Sequence, residues 1–125
     1  MYLVLDTSIL IDIERAYIGT IEKIRELKKT YPAPAKISFI SYFEFIVGLK
    51  EKSEKNKEKS SAFIEKFDMM QTNKSTANYL AHLKNAYELP LADLFIAAQT
   101  IENNAILVTK DKDFEQITEL NKIIL

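Results

Sequence analysis

The chain has 125 residues, which predicts one domain over residues 1–125 with a single core, and its net charge of −1 gives no global signature of nucleic-acid binding. Any such partner must therefore be met by a locally built site. The absence of cysteine excludes disulfides and thiolate metal sites and fits a cytoplasmic protein. Nothing approaches the ~18 consecutive apolar residues of a membrane span, and the N-terminus lacks the basic lead and apolar stretch of a signal peptide.

In chain order, "YLVL" (Tyr2–Leu5) reads as a first strand, and Thr7 or Ser8 is placed to cap a short helix, "ILIDIERA". A second helix is expected over about Thr20–Lys29, with Ile21, Ile24 and Leu27 on one face, until "YPAPA" breaks it. "KISFI" is a second strand, and Ser41 begins the helix "SYFEFIVGLKEK". The run Lys50–Lys59 holds five Lys and three Glu. It reads as an exposed helix end or helix–helix connection, because "AFIEKFDMM" resumes an apolar stripe directly. "MMQ" is a poor third strand. Thr72–Tyr87 forms a helix with Tyr79, Leu80, Leu83 and Tyr87 inward, and "LPLADLFIAAQTIENN" is the most apolar helix, with Pro90 in its first turn. "AILVT" is a strong strand, "DFEQI" a helical turn, "KIIL" a last strand. With two glycines, the chain has no phosphate-cradling loop. Strands alternating with helices predict an α/β fold, a mostly parallel sheet with helices on both faces.

In such a sheet, ligands bind outside the carboxyl ends of the strands. Asp6 follows the first strand, and Glu44 lies just past "KISFI". Asp93 opens the apolar helix, while Asp111 and Asp113 follow "AILVT". Each has a plain structural account: Asp6 as an N-cap, Glu44 in a capping box with Ser41, Asp93 favoured by the helix dipole, the last two as turn residues. Collected at one rim, however, these carboxylates would repel one another unless a cation sat among them. With no cysteine and one histidine, His82, a hard divalent ion with oxygen ligands is the expected partner: magnesium, or manganese in its place.

The blocks "LVLDTSILID", "ISYFEFIVGL", "LPLADLFIAAQT" and "LVTKDKDF" together resemble the PIN-domain ribonucleases, most closely the VapC-type toxins of toxin–antitoxin pairs. The resemblance spans the chain and implies a three-layer α/β/α sandwich around a parallel sheet of four or five strands. It implies Asp6, Glu44 and Asp93 as the acidic core and Asp111 as the fourth position, with Asp113 a neighbour of open role. Thr7 and Thr109 resemble the hydroxyls that orient the site. A magnesium-dependent endoribonuclease, a VapB-like antitoxin and a homodimer are further implications. The chain departs from the pattern in its scarcity of cations, Arg15 and Arg25 being its only arginines.

For phosphodiester hydrolysis by metal-activated water, Asp6 and Asp93 are expected to bind metal directly, with Glu44 and Asp111 completing the shell. Thr7 or Ser8 would donate to a carboxylate or phosphate oxygen. Lys110 and Lys112, flanking Asp111, are candidate phosphate contacts, as are Lys50, Lys52 and Lys55, although a solvated helix face explains the latter run as well. His82 lies off its helix's apolar stripe and reads as functionless. Tyr42, Phe43, Phe45 and Ile46 exceed what one core face requires and offer a partner surface. The alternatives are a housekeeping PIN nuclease without antitoxin and a PIN scaffold that binds protein or RNA and cuts nothing. A receiver-like phosphoacceptor would need a paired acid after the first strand, which "LDTSIL" lacks.

Overall fold

The computed structural model describes residues Met1–Leu125. Its centre is a sheet of five parallel strands: β1 (Leu3–Leu5), β2 (Lys36–Ile37), β3 (Asp68–Met69), β4 (Ile106–Thr109) and β5 (Lys122–Ile124), in the order β3-β2-β1-β4-β5. The helices are α1 (Thr7–Glu14), α2 (Ile18–Thr30), α3 (Phe39–Gly48), α4 (Glu54–Ile64), α5 (Lys74–Ala86) and α6 (Leu91–Glu102). No helix is long and apolar enough to cross a membrane.

Every residue of β1 and β4 is buried, which is why both read as unbroken apolar runs and not as alternations. Successive side chains still point to opposite faces. Val4 and Leu107 join Leu83, Leu94, Ala97 and Phe114 in one core, beneath α5 and α6. Leu3, Leu5, Ile106 and Val108 join Ile9, Leu10, Phe45 and Ile64 in a second, beneath α1, α3 and α4. The sheet thus separates two cores, giving the three-layer α/β/α sandwich implied by the sequence, with five strands.

The chain leaves β1 for β2 and β3 on one side, then returns to place β4 on the other. The direction reverses between β1 and β4, which pair in register from Leu3↔Ile106 to Leu5↔Val108. The crevice outside their carboxyl ends is the switch point where doubly wound sheets bind ligands.

Several boundaries differ from expectation. "KISFI" is a strand only through Ile37, and α3 begins at Phe39. Its cap is Ser38, whose hydroxyl accepts from Ile40 N–H at 3.1 Å. Ser41 therefore sits buried inside the helix, and the Ser41–Glu44 capping box does not form. The charged run opens a helix: after a 3-10 turn over Leu49–Glu51, Ser53 caps α4. The cap of α1 is Asp6 itself, not Thr7 or Ser8. Pro90 stands at the N-cap of α6, just before its first turn. Asn73 and Thr76 cap α5 reciprocally, and Tyr79, expected inward, is 40% exposed because Leu83 and Leu80 carry the packing.

Candidate active site

Asp6 leaves the end of β1 with its own N–H bonded to the Val108 carbonyl at 3.0 Å, so the strand pairing continues through the acid. Its carboxylate accepts from Thr7 N–H at 2.8 Å and from the Thr109 hydroxyl at 2.6 Å. That hydroxyl, fully buried at the end of β4, in turn accepts from Asp111 N–H at 3.0 Å. One threonine thereby ties the first acid to the turn carrying the fourth. Asp111 is held again by Asp113, whose N–H donates to its Oδ1 at 2.9 Å.

The other two acids are borne by helices. Glu44, on α3, accepts from the Thr7 hydroxyl at 2.7 Å, and that hydroxyl lies 3.1 Å from the Ser41 oxygen. Asp93, in the first turn of α6, reaches the same place from the opposite core. Asp6, Glu44, Asp93 and Asp111 all line one open cleft of about 390 Å³, together with Thr7, Ser8 and Lys110. Asp113 and Lys112 are exposed outside it. Ser8 Oγ is buried and has no hydrogen-bond partner.

Electrostatics follow from the crowding. Burial pushes Asp6 above the ordinary carboxylate range, the bonds from Thr109 and Thr7 pull it down, and the charges of Glu44 and Asp111 push it up again. Asp93 is pushed up to about 6 by burial and by Asp111, Asp6, Glu44 and Asp113. The one lysine of the cleft does not relieve this. Lys110 Nζ is bonded to Asp12 Oδ2 at 2.7 Å and lies over the Tyr17 ring. Burial works to raise Asp12, but the hydrogen bonds of Lys110 and Thr20 and the charges of Lys110 and Arg15 hold it below its usual range. No three of the acids are grouped so that a single ion could be held by all three.

The sequence reading overlooked two positioning residues. Asp12 keeps Lys110 at the rim of the cleft. Gln99, buried on α6, accepts from the Ser38 hydroxyl at 2.6 Å and Phe39 N–H at 3.0 Å, and donates to the Met70 carbonyl at 3.2 Å. It fastens the start of α3, hence Glu44, to the helix carrying Asp93. A polar residue interrupting the apolar "LFIAAQT" was the available signal. His82 is exposed and pairs with Glu119 at 3.3 Å, remote from the cleft.

A parallel sheet with four carboxylates gathered at its switch point defines the class, and the sequence agrees. The profile of the family described as PIN domain matches residues 3–120, so the chain belongs to the PIN-domain family. Solved structures share the whole fold. A chain of VapBC2 from Rickettsia felis, bound to a DNA fragment from the promoter, superposes with a TM-score of 0.83 at 21% identity, covering 100% of this chain and 99% of that one. For VapBC-1 from nontypeable Haemophilus influenzae the TM-score is 0.80 at 25% identity, over 99% and 98%. A DNA-bound VapBC from Salmonella typhimurium gives 0.80 at 20%, also over 99% and 98%. Among curated protein sequences none matches the chain.

Proposed function

We propose that this PIN-domain protein is a magnesium-dependent endoribonuclease, with manganese a possible substitute, acting as the VapC-type toxin of a toxin–antitoxin pair. The observation that carries the reading is the convergence of Asp6, Glu44, Asp93 and Asp111, from four separate elements, in one cleft at the switch point.

The donor set fits a hard divalent cation. It is all oxygen, and the carboxyls of Asp6 and Asp93 are raised by burial and, after it, by the negative charges of their neighbours. The spacing is too loose for three carboxylates on one ion, which suits magnesium, an ion that keeps several waters and uses one or two carboxylates. When bound, such an ion supplies an activated water and offsets charge on the departing oxyanion. In this reading Asp6 and Asp93 bind it directly, while Glu44 and Asp111 hold its waters or a second ion. Thr109 and Thr7 fix which carboxylate oxygens face the cleft. Thr7 or Ser8 donates to a metal-bound carboxylate or a phosphate oxygen, the buried Ser8 hydroxyl being uncommitted, and Lys110 lies at the rim to meet the substrate.

The antitoxin partner is supported by the likeness to the VapBC structures, and the open acidic cleft is the surface it would cover. A homodimer is supported by α3, where Phe39, Phe43 and Val47 form an exposed apolar stripe at helical spacing.

RNA cleavage by the purified protein, with magnesium and with EDTA, tests the reading beside Asp6→Asn. Cleavage that vanishes with chelation and in the variant is expected. The rival reading is a PIN scaffold that binds protein or RNA without cutting. Varied RNAs left intact in both magnesium and manganese would establish it.

A further inference from the structure

The cleft does not end at its acids. Glu44 also lines an adjoining hollow of about 120 Å³, shared with Glu14, Arg15 and Lys52. Those three then line a further hollow of about 320 Å³ that reaches Asn56, Lys59 and Phe63 on α4. The result is one path whose sign changes along its length, acidic at the switch point and basic beside α4.

The cations along it are available. Arg15 and Lys59 are exposed, and neither takes part in an ion pair. Lys52 is held by Glu14 Oε1 at 2.9 Å and by the Ser60 hydroxyl at 3.0 Å, yet stays 33% exposed. An ammonium has three N–H groups, so one remains for an incoming acceptor. Glu14 keeps its other carboxylate oxygen buried and unpaired, and the ammonium of Lys52 meets its charge at the path. Its role is to hold the lysine up.

We infer that this path binds the backbone of a single-stranded RNA, with Arg15, Lys52 and Lys59 meeting successive phosphates on one side of the phosphate held at the acids. The inference rests on the nuclease reading for its direction, since the strand to be cut must continue away from the cleft. A basic groove with an aromatic ring in its floor is the usual platform for an unpaired strand. Here the ring is Phe63, half-buried and packed against Phe45. One of the chain's only two arginines stands at the groove's junction with the cleft.

The test is anisotropy of 5′-labelled, mixed-sequence single-stranded RNAs over a potassium chloride series at fixed calcium, with RNA integrity checked on gels. Arg15→Ala/Lys59→Ala is compared with wild type and with Lys23→Ala/Lys84→Ala, which removes the same charge from exposed positions off the path. The groove variant is expected to lower the slope of log affinity against log salt by about 1.4, at ~0.7 per lost phosphate contact. Affinity should fall alike for every sequence, and the control should keep the wild-type slope. Equal slopes in wild type and groove variant overturn the inference, as does an equal loss in the control. Should the RNAs survive in magnesium and manganese while the slope still depends on Arg15 and Lys59, the groove stands and the nuclease reading falls. Cleavage with unchanged slopes gives the reverse.

Discussion

The cleft is built in two halves by two different means. On the sheet side, Asp6 and Asp111 are fixed by strand pairing and by the Thr109 hydroxyl between them. On the helix side, Glu44 has the Thr7 hydroxyl, and the Asp93 side chain has no hydrogen bond; the placement of α6, tied to the start of α3 through Gln99, sets its position. The contrast shows how a chain can concentrate like charges. Asp6, which is buried, is given donors, while Asp93 has none, and its carboxyl is pushed up by burial and then by the charges of its neighbours. The sheet half is anchored by hydrogen bonds to its acids, and the helix half by the packing of its helices and the Gln99 bridge between them.

The sharpest test of the anchor is Asp6→Asn, expected to cut RNA cleavage about a thousandfold, equivalent to ~4 kcal/mol of lost metal-assisted stabilisation. A variant with near wild-type turnover would shift the chemistry to the helix half. Thr109→Val comes next. It strips a donor from a buried carboxylate and an acceptor from Asp111 N–H, so unfolding free energy should drop by ~1–3 kcal/mol in denaturant titrations. Asp93→Asn should have the opposite sign. Removing one charge from the crowd is expected to raise the melting temperature of the metal-free protein by about 3–5 °C, for ~1 kcal/mol of relieved repulsion. A lowered melting temperature would mean that Asp93 is a structural group, not the repository of strain.

The smallest effect is on pH, since Asp93 is partly exposed and screened. In the folded metal-free protein its carboxyl keeps its proton up to about pH 6, against 3.8 ordinarily. Between those values the native state binds the extra proton, so stability falls as the pH rises through the window and recovers on acidification. The upward push on Asp6 acts in the same direction. In EDTA the denaturation midpoint should therefore be higher at pH 5 than at pH 7.5, with a narrower gap in Asp93→Asn. An unchanged gap would assign the dependence to other groups.

The acids were legible in the sequence because each sits at a fixed offset from a strand or helix signal, and the topology then brings those offsets together. The start of α3 was misjudged for a physical reason. Ser41 and Glu44 have capping-box spacing, but Gln99, from sixty residues on, captures Phe39 N–H and the Ser38 hydroxyl and begins the helix earlier. Asp12 was invisible in the same way, since its partner Lys110 is 98 residues away. The path beside α4 was half-visible: its lysines stand out in the charged run, but only folding selects Lys52 and Lys59 and adds Arg15.

The bond from Thr109 to Asp6 joins residues 103 apart in the chain. During synthesis β1 emerges well before its neighbour β4, and pairings of such long separation form slowly. A nascent chain accordingly carries Asp6 through that interval without the threonine that orients it. The cleft is completed only once β4 has been made and has paired with β1, a delay set by the separation of the two strands in the chain.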